Sequence, residues 1–286
     1  VDLGAMTMAT TPATPATPPS MMTTRLFRDL VDDAGLFPPT ALPMDEALAR
    51  HRSDLDAGHP VLTHRFLCPA SRLPALRAAL SFPIRLGLIL DTPDLPPLDG
   101  LDVELVEIPG ARFETPSGRI EIPADPGPPG TRARRFVEVT AAQLPVAPPE
   151  GTGLKIRCGG SSAESFPSPH DLGAFISHCA GHGIPFKATA GLHHAVRHFD
   201  PALGTDRHGF LNLVLAVVAA VEGRDPVPVL KLTDVGELVR LARAVPDETA
   251  RRARELLVSY GSCSTSTPID DLRALGLTRL TKEDDR

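Results

Sequence analysis

The chain has 286 residues, 42% of them hydrophobic and 22% charged, and a formal net charge of −6. That balance is ordinary for a globular protein. It argues against an extended basic face for nucleic acid or anionic lipid, and leaves room for a local basic site that takes a small anion. There is no Trp and a single Tyr, Tyr260, so aromatic platforms for stacking bases or sugars are not expected.

Residues 1–23 form a Thr/Ala/Pro-rich tail with little to bury, expected to be disordered and to precede one folded domain over 24–286. The opening VDLGAM lacks the basic-then-apolar order of a secretory signal. At ~260 residues the remainder has the size of one α/β barrel, and no charged or Gly/Ser-rich linker divides it. The four cysteines, Cys68, Cys158, Cys179 and Cys263, are scattered without a CxxC pair. This favours a reduced, cytoplasmic chain over a disulfide framework. The longest apolar stretch, 211–221, contains Asn212 and is too short to span a bilayer.

From Arg25 onward, short apolar runs alternate with helical patterns. Strands are predicted at 27–31, 64–68, 84–90, 103–108, 135–140, 154–158, 186–189 and 258–262. Helices are predicted at 44–52, at 73–80 behind Ser71 as N-cap, at 169–180, across 210–255 with a break near Pro226 and Pro228, and at 269–275. The connections TPDLPPLDG and AAQLPVAPPEGTG are too short and too Pro-rich for full helices. Residues 111–124 read as a β-hairpin insertion turning at Pro116, Ser117 and Gly118. Eight strands alternating with helices give an α/β fold: a single (β/α)8 TIM-like barrel with some degenerate helices, with a doubly wound open sheet as the alternative.

In such a barrel, chemistry collects where inward-facing polar residues approach the C-terminal strand ends. The segment GLKIRCGGSS places Lys155 and Arg157 on one phase, opposite Leu154 and Ile156, with Gly159 and Gly160 beyond. Two cations on a buried strand need an anion, either substrate or a structural partner such as Glu104, Glu107 or Glu138. The segment IPFKATAGLHH puts Lys187 and Thr189 on one phase, then opens a loop bearing His193 and His194, of which one can face inward. A second cation or burial would lower the pKa of Lys187 and make it nucleophilic.

Asp32 and Asp33 end the first strand, one as a general base or metal ligand and the other as a turn cap. The small residues around Ser262 and Ser264 precede the closing helix and suit an anion or a plain N-cap. Cys158 lies out of phase with Lys155 and reads as packing, as do Cys68 and Cys179. Cys263 is better exposed but has no base assigned to it.

A lysine on the sixth strand followed by small residues (KIRCGGSS), then a second lysine in KATAGL, resembles the class I aldolases of the deoxyribose-phosphate aldolase type over residues 153–191. The resemblance implies that Lys155 forms a Schiff base with a carbonyl substrate, that Lys187 lowers its pKa, and that a strand aspartate assists proton transfer. The segments AGLFPPTALPM, KATAGLHH and YGSCS also look like a bacterial (β/α)8-barrel family that brings a fold and no assigned activity.

Three functions follow from these residues. The first is a lysine-dependent lyase or aldolase acting on a small anionic carbonyl compound. Here Lys155, Lys187, His193 and Asp32 are catalytic, and Arg157, Gly159, Gly160, Thr189, His194, Ser262, Ser264 and Glu138 bind substrate. The second is a metal-dependent hydrolase or isomerase using Asp32, Glu138 and a histidine. Neither HExxH nor a strand-end HxH pair is present, so no cofactor is expected. The third is a non-catalytic barrel that binds a small molecule or a partner. No nucleic-acid or membrane partner is expected.

Overall fold

A computed structural model describes residues 25–93, 96–128 and 132–278. The predicted tail at 1–23 lies outside the described residues. Eight parallel strands close into a barrel: β1 Val31–Asp33, β2 Leu62–Pro69, β3 Arg85–Ile89, β4 Asp102–Pro109, β5 Arg134–Glu138, β6 Thr152–Arg157, β7 Phe186–Thr189 and, after a small hairpin, β10 Leu257–Ser262. Closure is carried by β1, which pairs with β2 on one side and with β10 on the other. That double pairing removes the open-sheet alternative.

The helices are α1 Met44–Ala57, α2 Leu73–Ala79, α3 Pro169–His182, α4 Phe210–Val221, α5 Val227–Lys231, α6 Val235–Ala244, α7 Asp247–Leu256 and α8 Ser266–Ala274. The Pro-rich connections behave as their composition dictates. Among the described residues, β3 is followed by no helix, and β4 and β5 are followed only by single 3-10 turns at Gly110–Phe113 and Ala141–Gln143.

One local expectation is corrected. Ser71 lies inside a 3-10 turn, Ala70–Arg72, and bonds Asp91 instead of capping α2. The 111–124 segment turns back at Gly118 as expected, with an antiparallel bridge between Glu114 and Ile120 and backbone bonds from the Thr115 amide to Arg119 and from the Glu121 amide to Phe113. A longer hairpin lies in the connection after β7, where β8 His198–Asp200 pairs with β9 Thr205–Arg207.

Local chemistry explains the best-formed helices. Ser168 and Asp171 make a reciprocal capping box at the start of α3, Pro169 fills its first position, and Gly183 ends it with φ of 63°. Helix α4 is apolar on all sides because α3, α5, α6 and α7 pack around it. Its one polar interruption, Asn212, is fully satisfied. The side chain accepts from the Arg197 amide (2.8 Å) and donates to the carbonyls of Val229 (2.9 Å) and Leu232 (2.7 Å). It ties α4 to the C-terminal half of α5 and to the segment that leads into β8.

Strand alternation sorts the residues. Phe66, Leu86, Val106, Val137, Leu154, Ile156, Phe186, Ala188 and Tyr260 face the helix layer and form the main core. The opposite phase fills the barrel, and glycines make room there. A Cβ on Gly153 would fall 2.6 Å from the Phe136 ring, and one on Gly87 would fall 2.4 Å from Leu67. Leu67, Leu105 and Phe136 thus pack one side of the interior. The rest of it is polar, with a chain of charged groups along the axis. No helix among the described residues is long and apolar enough to cross a membrane.

Candidate functional site

The barrel interior contains a ladder of alternating charges along its axis. At the C-terminal mouth, Arg157 Nε meets Glu138 Oε1 at 3.3 Å, and Glu138 Oε2 meets Lys155 Nζ at 2.9 Å. Lys155 Nζ also meets Glu107 Oε2 at 2.5 Å, and Glu107 Oε1 lies 3.3 Å from Lys187 Nζ. Lys187 pairs in turn with Asp32, Asp32 Oδ1 with Arg65 (2.8 Å), Arg65 with Glu104 (3.0 Å), and Glu104 with Arg85 (3.1 Å). Every link joins opposite charges, and the sequence runs from one end of the barrel to the other.

Burial is greatest in the middle. The Arg157 side chain is 52% exposed, Glu138 27% and Lys155 6%, whereas Lys187 and Asp32 are wholly buried. Toward the opposite end exposure returns, through Arg65 to Arg85. The central carboxylate is crowded with donors: Thr63 Oγ1 donates to Asp32 Oδ1 and Ser259 Oγ to Asp32 Oδ2, each at 2.7 Å, and Lys187 also donates to Ser259 Oγ at 3.0 Å.

These contacts set the protonation states. Burial alone would raise Asp32, but Lys187 and Arg65 outweigh it and bring the carboxyl down to about 2. Glu107 and Glu138 are likewise lowered: burial opposes ionisation, and the facing lysines, with Arg157 at Glu138, more than reverse it. Lys155 moves the other way. Burial disfavours its charge, but Glu107 and Glu138 overcome that and hold it above the usual lysine value. Lys155 is therefore an ammonium ion at neutral pH.

A second polar group lies at the mouth. Thr189 and Gly261 follow the inward phase of β7 and β10, and Cys263 continues that of β10. Cys263 is nearly buried, and its Sγ lies 3.5 Å from His193 Nδ1. Burial and the charge of Arg207 lower the pKa of His193, so its imidazole is neutral near pH 7. The loop that carries Cys263 is held by Arg50, which donates to the Cys263 carbonyl (2.7 Å) and pairs with Asp33.

The predicted residues separate into those brought together and those not. Lys155, Arg157, Lys187, Glu138 and Asp32 share the one ladder. Asp32, however, sits in the buried middle with both oxygens occupied, away from the mouth. Asp33 faces the helix layer, where it takes the Gly35 amide and pairs with Arg50 and His51. His194 points away to Asp271 on α8 at 3.3 Å and is exposed.

The loop residues have structural work. Gly159 and Gly160 are close-packed, not open: a Cβ on Gly159 would lie 2.7 Å from Gly191 Cα and from Phe166, and one on Gly160 would lie 2.6 Å from Ser165. Ser262 is buried and donates to the Ser264 carbonyl at 2.6 Å. Ser264 Oγ accepts the Thr267 amide at 3.2 Å in the first turn of α8, whose N-cap position is Thr265.

Asp32, Glu138 and His193 each contact different partners, and among the described residues no three His, Cys, Asp or Glu side chains converge to hold a metal ion. The other three cysteines are structural in surroundings: burial pushes the Cys68 and Cys158 thiols up to about 12, and raises Cys179 too.

Sequence reasoning missed Thr63, Arg65, Ser259 and the pairing of His193 with Cys263. The first three carried a signal. Thr63 and Arg65 alternate with Leu62 and Phe66 around them, and Ser259 alternates with Tyr260, the same two-residue period that picked out Lys155 and Arg157. Comparison with protein-family models, with curated proteins and with solved structures gave no match.

Proposed function

We propose that the protein is an enzyme acting on a small anionic carbonyl compound at the C-terminal mouth of the barrel, a lysine-dependent lyase of the aldolase class. The observation that carries this reading is Lys155, a buried ammonium ion set directly beneath the half-exposed Arg157–Glu138 pair. Arg157 presents a planar guanidinium suited to a substrate carboxylate or phosphate. Lys155 supplies a fixed positive charge where a carbonyl oxygen would become an enolate.

For a β-hydroxy carbonyl substrate the steps balance without a cofactor. Neutral His193 takes the hydroxyl proton, the carbon–carbon bond breaks, and the electron pair passes to the carbonyl oxygen as an enolate beside Lys155. The enolate carbon then takes a proton from His193. The lysine dependence in this scheme is electrostatic. Imine formation would first require Lys155 to give up a proton that two carboxylates favour.

The test is a panel of hydroxy-aldehydes and hydroxy-keto acids followed by NMR. The expected result is cleavage of at least one anionic member, with K155M lowering kcat by roughly a hundredfold or more and R157Q acting mainly on KM. No turnover across the panel, or turnover unchanged in K155M, overturns the proposal.

A second reading rests on the same contacts. Lys155 and Lys187 each meet two carboxylates, which also suits a rigid barrel that binds a small molecule without transforming it. Saturable binding of an anionic carbonyl compound, abolished by R157Q and never followed by turnover, would favour that reading.

A further inference from the structure

We propose that the N-terminal face of the barrel, opposite the mouth, carries a separate binding site for a small polyanion bearing phosphate groups. A cavity of about 600 Å³ opens there, lined by the starts of β2, β3, β5 and β10 and by the segments that lead into β1 and β10. Ligand sites are commonly of this size.

Its walls are unusual for a chain of net charge −6. Seven arginines and no lysine line it, against the carboxylates of Asp29 and Glu255. Arginine in place of lysine gives planar, forked donors that match phosphate oxygens two at a time.

Several of these charges lack compensation. Arg134 lies over the Phe136 ring at 5.5 Å, and neither Arg134 nor Arg28 meets a carboxylate among the described residues. Arg254 spends its guanidinium on backbone carbonyls of Asp29, Leu257 and Val258. The other four do have carboxylate partners: Arg25 meets Asp247, Arg65 meets Asp32 and Glu104, Arg85 shares Glu104, and Arg251 meets Glu248 and Glu255. Burial and the nearby Arg65 charge both disfavour the charged form of Arg134, which is the direction an incoming anion would reverse. Arg28 and Arg134 come from separate elements, so a ligand with two charged groups can engage both.

The mouth and this cavity lie at opposite ends of the ladder. The two sites are therefore separable by mutation, and this inference does not depend on the reaction proposed above.

The experiment is isothermal titration calorimetry of the full chain at constant ionic strength with inorganic pyrophosphate, inorganic phosphate and citrate. The expected result is one saturable pyrophosphate site, phosphate binding at least tenfold weaker, and a tenfold or greater loss in R134Q with R157Q unchanged. Citrate binding as tightly as pyrophosphate would overturn the phosphate assignment. R28Q, at an exposed side chain without described partners, should also weaken binding several-fold, and it serves if R134Q fails to fold. Binding lost in R157Q but intact in R28Q and R134Q, or no saturable binding of pyrophosphate, overturns the proposal.

Discussion

Lys155 and Lys187 stand directly opposite each other in the register of β6 and β7 and share one carboxylate, Glu107. Two like charges side by side in a barrel interior would repel strongly. Glu107 between them, with Glu138 beyond one and Asp32 beyond the other, converts that repulsion into an alternating chain.

Removing Glu107 should therefore be costly. E107Q preserves shape but leaves two buried ammonium groups with one carboxylate each. Breaking a buried pair costs about 3–5 kcal/mol, and urea unfolding should show a loss of that order. A double variant, E107L with K155M, should lose less than E107Q, because it removes both members of a pair. Greater loss in the double variant would show that the pairs are not coupled in this way.

Acid should unfold the protein through the same groups. Asp32 lies at about 2 in the folded chain against an ordinary 3.8. A carboxyl lowered in the folded state contributes stability above its unfolded pKa and loses it as pH falls through the folded value. The Asp32 contribution, on the order of 2 kcal/mol, should vanish between about pH 4 and pH 2, and Glu107 and Glu138 act in the same direction. Urea midpoints should fall steeply over that window and less steeply in D32N. A midpoint flat down to pH 2 would contradict the pairing.

Arg157 should behave differently. Its side chain is half exposed and makes a single ion pair, so R157Q should change stability by less than about 1 kcal/mol while removing anion binding at the mouth. Thermal unfolding and ligand titration on one preparation separate the two effects. A large stability loss would make Arg157 structural.

Thiol reactivity should be uneven. Cys263 lies beside His193 at the mouth and keeps 6% exposure, whereas Cys68 and Cys158 are wholly enclosed, with thiols pushed up to about 12. Iodoacetamide followed by peptide mass spectrometry should label Cys263 first, and H193Q should slow that labelling. Preferential labelling of Cys158 would contradict the placement of its strand.

Asn212 offers a test of the helix layer. N212L leaves the Arg197 amide and the Val229 and Leu232 carbonyls without the partner they have now. Unsatisfied buried groups cost about 1–3 kcal/mol each, so chemical denaturation should show a loss of at least the lower figure. An unchanged midpoint would mean that those groups find other partners.

Much of the barrel was legible because each strand repeats with a period of two between turn signals. The inward phase of Lys155, Arg157 and Lys187 followed from that period alone. What the sequence left open was which partners those cations meet, since Glu107, Glu138 and Asp32 come from strands far apart in the chain and only closure brings them together. The β8–β9 hairpin was missed because its strands have three residues each, too few for alternation to register. Asp32 and Asp33 illustrate the limit most clearly. Adjacent and chemically identical, they face opposite sides of β1, and only the register decides which one enters the barrel. The small residues after β6 and β10 offered two readings, an anion cradle or a plain loop with a helix cap, and the close packing of Gly159 and Gly160 depends on neighbours distant in sequence.

The central claim is that the ladder holds Lys155 as an ammonium ion at the floor of the mouth. Nitrogen NMR of lysine Nζ groups, assigned with K155M and followed from pH 6 to pH 12, tests it most directly. The account predicts that the Lys155 signal keeps its ammonium shift beyond the ordinary lysine value of 10.5, and that E138Q brings its titration to lower pH. A Lys155 signal that titrates near neutral pH would contradict it, and would identify this lysine as a nucleophile instead.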